Sequence, residues 1–256
     1  MRHWIYNWKK VLLIFVDVLL ATYLGFAVTV FNRPQDGKGL VCSQVKIDIQ
    51  DDVVDGFLNA NEIKVLLEKA RIYPLAKPMD NIDARVIEEV LEKSPFVNEA
   101  QCYKTQSGHV YIKLTQRTPV MRVKAVNGDD YYVDNHGGVM PNSKYCSDIM
   151  IATGHINRKY AQHVLTKLGN VIVNDKFWRN QIVQLNVLHD GTVELVPRVG
   201  EHIVYIGQPY KLKEKLDRLE KFYRYGLSQA GWNKYSYINI AFENQIICKK
   251  NIKNNI

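Results

Sequence analysis

The sequence predicts an α+β protein. One apolar N-terminal helix precedes a strand–helix–helix–strand–strand module, and a β-rich domain of mostly antiparallel strands with flanking helices follows. Three observations support this: residues 11–31 are almost uniformly apolar, residues 44–50 alternate between apolar and polar side chains, and glycine-containing turn signals recur from residue 127 onward. A long apolar run favours a membrane helix, whereas alternation with frequent turns favours paired strands.

The first predicted element is a transmembrane helix at residues 11–31. At about 1.5 Å per residue this run reaches roughly 30 Å, the thickness of a bilayer's hydrocarbon core. Arg2, Lys9 and Lys10 precede it, which predicts an N-terminus on the inside. A cleaved secretion signal is the alternative, but the run is long and no A-x-A site follows it. Asp17 is either a functional contact or a protonated or snorkelling side chain, and both interpretations stay open.

The next predicted unit is the strand–helix–helix–strand–strand module, whose first strand covers residues 44–50. Asn59 and Glu62 form a capping-box pattern that starts the first helix. The second helix is predicted from about Asp83. The two closing strands are predicted at residues 97–104 and 109–117.

From Val120 onward strands dominate. Helices are predicted near residues 160–168, 177–178 and 209–229, and the two final strands at residues 235–242 and 245–249. The last helix carries a basic run interleaved with acidic residues, which is typical of a solvated helix face. The basic residues are Lys211, Lys213, Lys215, Arg218, Lys221 and Arg224.

Composition narrows the function classes. The net charge of +8 is spread along the chain, which argues against nucleic-acid binding. The four cysteines have no C-x-x-C spacing, so a zinc site is not predicted. The compartment outside the membrane is predicted to be oxidising, and four cysteines allow three disulfide pairings among which the sequence alone does not choose. The pairing Cys42–Cys102 with Cys146–Cys248 is the hypothesis that keeps each bridge inside one predicted domain.

The sequence contains no strong enzyme motif. Walker A, G-x-G-x-x-G, G-x-S-x-G and H-E-x-x-H patterns are all absent, and the histidines never fall at ligand spacing. The acidic pairs Asp51-Asp52 and Asp129-Asp130 are typical of solvated loops. We therefore predict no catalytic residue, no metal site and no cofactor.

A set of residues recurs in a characteristic order through the module and the β-rich domain. These residues are Val45, Ile47, Ile63, Pro95, Val97, Ala100, Val110, Ile112, Leu114, Arg117-Thr118-Pro119-Val120, Tyr132-Val133-Asp134, Gly137 or Gly138, Val139-Met140-Pro141, Gly207 and Ile238-Asn239-Ile240. With them, the strand–helix–helix–strand–strand module resembles a POTRA domain, and the whole chain resembles the FtsQ/DivIB family of bacterial division proteins. Gln116 stands where the family usually has an acid, and Asn239 where an Asp is common.

The resemblance completes the predicted domain organisation. The expected segments are a short cytoplasmic tail (1–10), a transmembrane helix (11–31), a linker (32–43), a POTRA domain (44–118), a C-terminal β domain (119–250) and a disordered tail (251–256).

The resemblance also implies a function. It implies a non-enzymatic, single-pass inner-membrane protein with a cytoplasmic N-terminus and periplasmic domains, found at the division septum. The implied partners are FtsB- and FtsL-like proteins and other divisome proteins, through which septal peptidoglycan synthesis is recruited and controlled. The alternatives are a POTRA-based envelope protein-assembly or secretion factor and an overlooked cell-wall enzyme.

In the family the partner adds a strand to the sheet at the end of the β domain, here residues 237–247. Ordinary inward packing stays open for the apolar residues, because alternation buries about half of any such strand. The implied contact residues are Tyr237, Ile238, Ile240, Phe242, Asn244 and Ile246, with Lys211 or Lys215 facing an acidic residue.

Overall fold

The computed structural model describes residues 2–31, 39–50, 58–143 and 149–252. They form an N-terminal helix, a three-stranded sheet with two helices, and a large mixed sheet with further helices, which confirms the predicted α+β class. The chain divides into two compact units. The first unit comprises Met1–Val45, Pro74–Ile82 and Lys104–Val110, and the second comprises Lys46–Tyr73, Asp83–Tyr103 and Tyr111–Ile256.

The first unit contains helix α1 (Arg2–Phe31). Its segment Lys10–Val30, 21 residues with a mean hydropathy of 2.4, is long and apolar enough to cross a membrane. Asp17 lies inside this segment.

The first unit also contains a short backbone ribbon. Cys42 donates its backbone N–H to the Lys77 carbonyl at 2.9 Å, and Met79 donates to the Leu40 carbonyl at 2.8 Å. Residues 40–42 were assigned to the linker, but these bonds make them part of the folded unit. No local pattern indicates this pairing, because it joins segments far apart in the chain.

The strand–helix–helix–strand–strand module forms with the order predicted. Asn59 Oδ1 accepts a hydrogen bond from the Glu62 N–H at 2.9 Å, and the Glu62 carboxylate accepts one from the Asn59 N–H at 3.3 Å, so the capping box is confirmed. The strands pair in the order β1-β3-β2. The elements are β1 (Gln44–Gln50), α2 (Ala60–Lys69), a 3₁₀ turn (Met79–Asn81), α3 (Ala84–Glu92), β2 (Val97–Lys104) and β3 (His109–Gln116).

The second unit includes a nine-stranded sheet with the order β12-β11-β10-β9-β8-β7-β4-β5-β6. Most of its pairings are antiparallel, as predicted, but β4–β7, β7–β8 and β10–β11 are parallel. Its strands are β4 (Pro119–Ala125), β5 (Asp130–Asp134), β6 (Val139–Pro141), β7 (Met150–Gly154), β8 (Ile182–Val187), β9 (Val193–Pro197), β10 (Ile203–Gly207), β11 (Tyr235–Asn239) and β12 (Ile247–Lys250).

Helices make two of the three parallel connections, because parallel neighbours require a long crossover. Helices α4 to α6 carry the chain from β7 to β8, and α7 with α8 carries it from β10 to β11. The helical segments are α4 (Arg158–Tyr160), a π turn (Ala161–Leu165), α5 (Thr166–Asn174), α6 (Lys176–Gln181), α7 (Leu212–Lys221), a second π turn (Phe222–Leu227) and α8 (Ser228–Ala230).

Several predicted bounds are corrected. The final two strands are shorter and further apart than predicted, because the chain leaves the sheet after Asn239 and rejoins it at Ile247. The tail was expected to fray from residue 251, but Asn251 donates its backbone N–H to the Lys234 carbonyl at 2.9 Å.

The predicted disulfides do not form. Cys42 is a buried free thiol, so the Cys42–Cys102 bridge is wrong, and Cys248 is also a free thiol. Its predicted partner Cys146 lies outside the described residues. The other predictions that fall outside them concern linker residues 32–38, the Asp51-Asp52 pair and tail residues 253–256.

A buried histidine lies among aromatic rings in the core of the large sheet. His202 is 2% exposed, and its Nε2 lies 2.7 Å from the Tyr223 hydroxyl oxygen. Tyr223 also packs edge-on against Trp232, with ring centroids 5.2 Å apart. Burial lowers the pKa of His202, with a smaller opposing effect from a backbone hydrogen bond with Trp232. The folded protein therefore holds this imidazole neutral.

We expect this histidine to make stability fall with acidification. Below its ordinary pKa of about 6.5, the unfolded chain binds a proton that the folded chain resists. The free energy of unfolding should therefore fall between pH 7.5 and pH 5.5, by at most about 1.4 kcal/mol per pH unit for one proton. Denaturant titrations of the full chain in detergent, followed by tryptophan fluorescence, measure this slope. His202→Phe should flatten it, whereas His163→Gln, at an exposed site, should keep it; equal slopes in all three proteins would contradict this assignment.

Candidate functional site

One end of the nine-stranded sheet is an open edge. Strand β12 (Ile247–Lys250) pairs with β11 on one side, and no other described strand pairs with its outer side. Backbone N–H and C=O groups on such an edge are a template for an incoming strand. The opposite end of the sheet is β6, which is only three residues long and closes on Pro141.

The family resemblance implied a partner-binding edge at residues 237–247, whereas the end strand of the sheet in the structure is β12, residues Ile247–Lys250. Tyr237 and Ile238 lie in β11, which is paired with β10 on one side and with β12 on the other. Their backbone groups are therefore shared with neighbouring strands. Alternation in the sequence showed that residues 235–239 are a strand, but alternation carries no information about which strands lie beside it.

Three of the predicted contact residues belong to the core. Ile238 and Ile240 are each 0% exposed, and Ile246 is partly buried against the same core cluster. The side chains of Ile238 and Ile240 are therefore not available to a partner on the surface, whereas that of Ile246 is partly exposed. The packing interpretation that was left open for them is the one the structure supports.

Two other predicted residues lie at the surface in the β11–β12 connection. Phe242 is 50% exposed, and Asn244 is exposed and has a left-handed backbone conformation with φ of 59°. Ile247, which the sequence analysis did not select, begins β12 and is 48% exposed. The open edge is thus accompanied by two exposed apolar side chains, Phe242 and Ile247.

Tyr237 lies on β11 next to Tyr205 of β10. Their rings stack with centroids 6.1 Å apart, and the Tyr237 hydroxyl donates to Glu194 Oε1 at 3.2 Å. Burial, with added repulsion from the Glu194 charge, raises the pKa of Tyr237 to about 12. This hydroxyl is therefore a hydrogen-bond donor at neutral pH.

The two predicted lysines have different surroundings. Lys211 is exposed, and its Nζ lies 2.7 Å from Glu243 Oε1, an interaction that raises the pKa of Lys211 and lowers that of Glu243. Lys215 is buried and donates from Nζ to the Ile206 and Gln208 carbonyls at 2.8 and 2.9 Å. Burial lowers the pKa of Lys215. The exposed Lys211 ammonium group is accessible to an acidic side chain of a partner, whereas the buried Lys215 ammonium group is hydrogen-bonded within the fold.

Arg218 is a site residue that sequence reasoning missed. Its Nη2 donates to the Ile240 carbonyl at 2.7 Å and to the Phe242 carbonyl at 2.9 Å, so it holds the chain where it leaves β11 for the turn into β12. Interleaved acidic residues made the whole basic run typical of a solvated face. The signal that was present is the helical period, since Lys215 and Leu219 lie on the buried side of α7 and Arg218, three residues after Lys215, lies at the margin of that side.

The described groups at this edge are suited to recognition. Within the described ranges, no group of three or more His, Cys, Asp or Glu residues is arranged to hold a metal ion. What the edge offers is unpaired backbone, two apolar side chains and the exposed ammonium groups of Lys249 and Lys250. Such groups suit the binding of an extended peptide segment.

These features define a class of protein: a chain with an apolar N-terminal helix, a small module of two helices on three strands, and a mixed sheet that is open at β12. Two family models match it. A POTRA-like domain model matches residues 40–115, and a model described as FtsQ/DivIB, C-terminal related matches residues 118–249, more than half of the chain.

The chain therefore belongs to the FtsQ/DivIB family, whose members are non-enzymatic cell-division proteins. No curated protein matches the chain.

Removing the Arg218 side chain tests whether it orders the edge. Arg218→Ala loses two charge-assisted hydrogen bonds to carbonyls in a half-buried site, which we expect to cost roughly 2 kcal/mol of stability. Hydrogen exchange of the full chain should then be faster at the amides of residues 240–250. Lys221→Ala, at an exposed position on the same helix, should leave that exchange unchanged. Unchanged exchange at β12 in Arg218→Ala would show that the edge is ordered without it.

Proposed function

We propose that this protein is a non-enzymatic septum-assembly factor that binds FtsB- and FtsL-like proteins at the open edge of β12. The family assignment supports a role in cell division. The observation that carries the binding mode is that β12, an end strand of the nine-stranded sheet, pairs with β11 on one side and with no described strand on the other. Through these partners the protein helps to recruit and control septal peptidoglycan synthesis.

The chemistry of the edge favours strand addition. An added strand would pair with the outer backbone groups of Ile247–Lys250, and its side chains would meet the exposed surfaces of Phe242 and Ile247. Backbone pairing supplies affinity that is insensitive to sequence, whereas side-chain contacts supply specificity. Lys249 and Lys250 at this edge favour a partner segment that carries acidic residues.

The apolar helix supports membrane attachment. Lys10–Val30 is long enough to cross the inner membrane once, and the basic residues before it favour a cytoplasmic N-terminus. The modules after it would then lie in the periplasm, where they reach partners that are themselves membrane proteins. Localisation at the septum follows from the same proposal, through contacts with other divisome proteins.

Charge substitutions beside the edge test this proposal. Phe242→Arg and Ile247→Arg each place a cation where the partner's strand would lie, so either should reduce recovery of FtsB- and FtsL-like proteins with the full-length chain at least tenfold. Each should also remove a fluorescent fusion's ability to support septation. Val126→Arg is the matched control, because Val126 is 70% exposed in the β4–β5 turn.

Hydrogen exchange provides the direct readout. In the full-length complex the amides of Ile247–Lys250 should gain protection. A complex that forms with these amides unprotected would show that the binding surface is elsewhere. Filamentous cells with unfinished septa on depletion support the division role, whereas misassembled envelope proteins with normal septa would favour a POTRA-based assembly or secretion factor.

A further inference from the structure

Two segments that carried the family resemblance, on opposite sides of the module boundary, meet in the structure. Arg117 follows β3 of the POTRA-like module, and Asp134 ends β5 of the large sheet. Arg117 Nη1 lies 3.6 Å from Asp134 Oδ2, with the Arg117 side chain 31% exposed and the Asp134 side chain 5% exposed. An ion pair with one buried partner is weakly screened by solvent.

Arg117 is also bound to β2 of the module. Its backbone N–H donates to the Phe96 carbonyl at 2.9 Å, and its Nε donates to the Val97 carbonyl at 3.2 Å. The guanidinium group therefore joins a carbonyl of the three-stranded sheet to a carboxylate of the nine-stranded sheet.

Backbone hydrogen bonds orient the Asp134 carboxylate independently of Arg117. Its Oδ1 accepts hydrogen bonds from the backbone N–H groups of His136 at 2.9 Å and Gly138 at 2.6 Å, which directs Oδ2 toward Arg117. A Cβ on Gly138 would lie 2.5 Å from Asp134 Oδ2 and 2.9 Å from Arg117 Nη1. Only glycine at this position of the turn leaves room for the Arg117–Asp134 ion pair, so the ion pair depends on the turn.

Further contacts surround this pair. Asn135 donates its backbone N–H to the Thr118 carbonyl at 3.2 Å. Phe96 and Ile149 pack against Tyr132 and Met140, which are 2% and 0% exposed. The junction therefore combines charge, backbone hydrogen bonds and a small apolar cluster.

The junction lies far from β12 along the nine-stranded sheet. Strands β5 and β6 lie at one end of the nine-stranded sheet and β12 at the other. Neighbouring strands are about 4.8 Å apart, so the seven intervals from β5, which carries Asp134, to β12 amount to roughly 34 Å along the sheet. A small rotation at the junction would move the open edge by a large distance.

We infer that Arg117 and Asp134 are positioning residues that lock the POTRA-like module to the large sheet, so that the β12 edge is presented at a fixed distance and orientation. The locking follows from the contacts at the junction, whereas its use rests on the proposed function of β12. The residues do not touch the partner. They act by keeping the two modules in one arrangement.

Distance measurement between the modules tests the lock. Spin labels on unnatural amino acids at Glu89 of α3 and Asp217 of α7, in the full-length chain in nanodiscs, report the spread of inter-module distances by pulsed electron resonance. Asp134→Asn keeps the Oδ1 acceptor and removes the charge, and Arg117→Gln removes the guanidinium group. We expect each to widen the distance distribution at least twofold relative to the unsubstituted chain.

The matched control is Asp130→Asn. It removes the Arg122–Asp130 ion pair, whose Nη2 and Oδ2 atoms are 2.7 Å apart, but both partners of that pair lie within the large sheet. This variant should keep the narrow distribution. Distributions as narrow in Asp134→Asn and Arg117→Gln as in the control would overturn the inference, even if those variants melt at lower temperature, because reduced stability alone is a merely structural effect.

Partner binding separates the two proposals. If Arg117 and Asp134 lock the modules but the edge is not the binding surface, the distance distributions of the two variants widen, and the β12 amides stay unprotected when partners bind. If the edge binds partners but these residues do not lock the modules, the β12 amides are protected, and the distance distributions of the two variants stay narrow. Where both hold, Asp134→Asn should retain β12 protection in the purified complex while a fluorescent fusion carrying it supports fewer septa.

Discussion

The continuous backbone ladder of the nine-stranded sheet is the constraint on which the rest of the structure depends. Among the described residues, every interior strand of this sheet has both sides paired, and unpaired backbone groups remain at its two end strands, β6 and β12. The two ends differ in chemistry. β6 has three residues and ends at Pro141, which has no N–H to offer, whereas β12 has four residues and contains no proline. Strand addition is therefore easier at β12, and the binding proposal follows from this asymmetry.

The topology of the sheet explains why basic side chains are found beside that edge. The parallel pairing of β10 with β11 requires a crossover, and α7 supplies it. A helix that returns across the sheet passes close to the carbonyls at the strand ends. Lys215 and Arg218 bind those carbonyls, so two cations of an apparently solvated run become part of the fold. The crossover thus places the edge and holds its connecting turn.

Much of the module could be predicted from sequence because its signals are local. The alternation of residues 44–50 fixed β1, and the Asn59 capping box fixed the start of α2. The large sheet was harder. The alternation of residues 235–239 indicated that β11 is a strand, but its neighbours β10 and β12 are set by long-range pairing. The family resemblance, and no pattern in the sequence, assigned the edge to residues 237–247. Arg218 was missed for a related reason: its partners are carbonyls of residues 240 and 242, which no pattern within α7 reveals. The ribbon at Cys42 is likewise long-range.

An open edge also has to avoid the wrong strand, above all the same edge of another copy. β12 is short and carries Lys249 and Lys250, and two copies paired through it would bring these like charges close together. Repulsion of that kind disfavours self-association without filling the edge. An acidic segment of a partner is attracted by the same lysines, and its backbone can pair with the unpaired groups of β12. The lysines therefore have two effects: they disfavour pairing with another copy, and they favour a partner of complementary charge. The apolar surfaces of Phe242 and Ile247 supply the shape-dependent part of recognition that charge alone lacks.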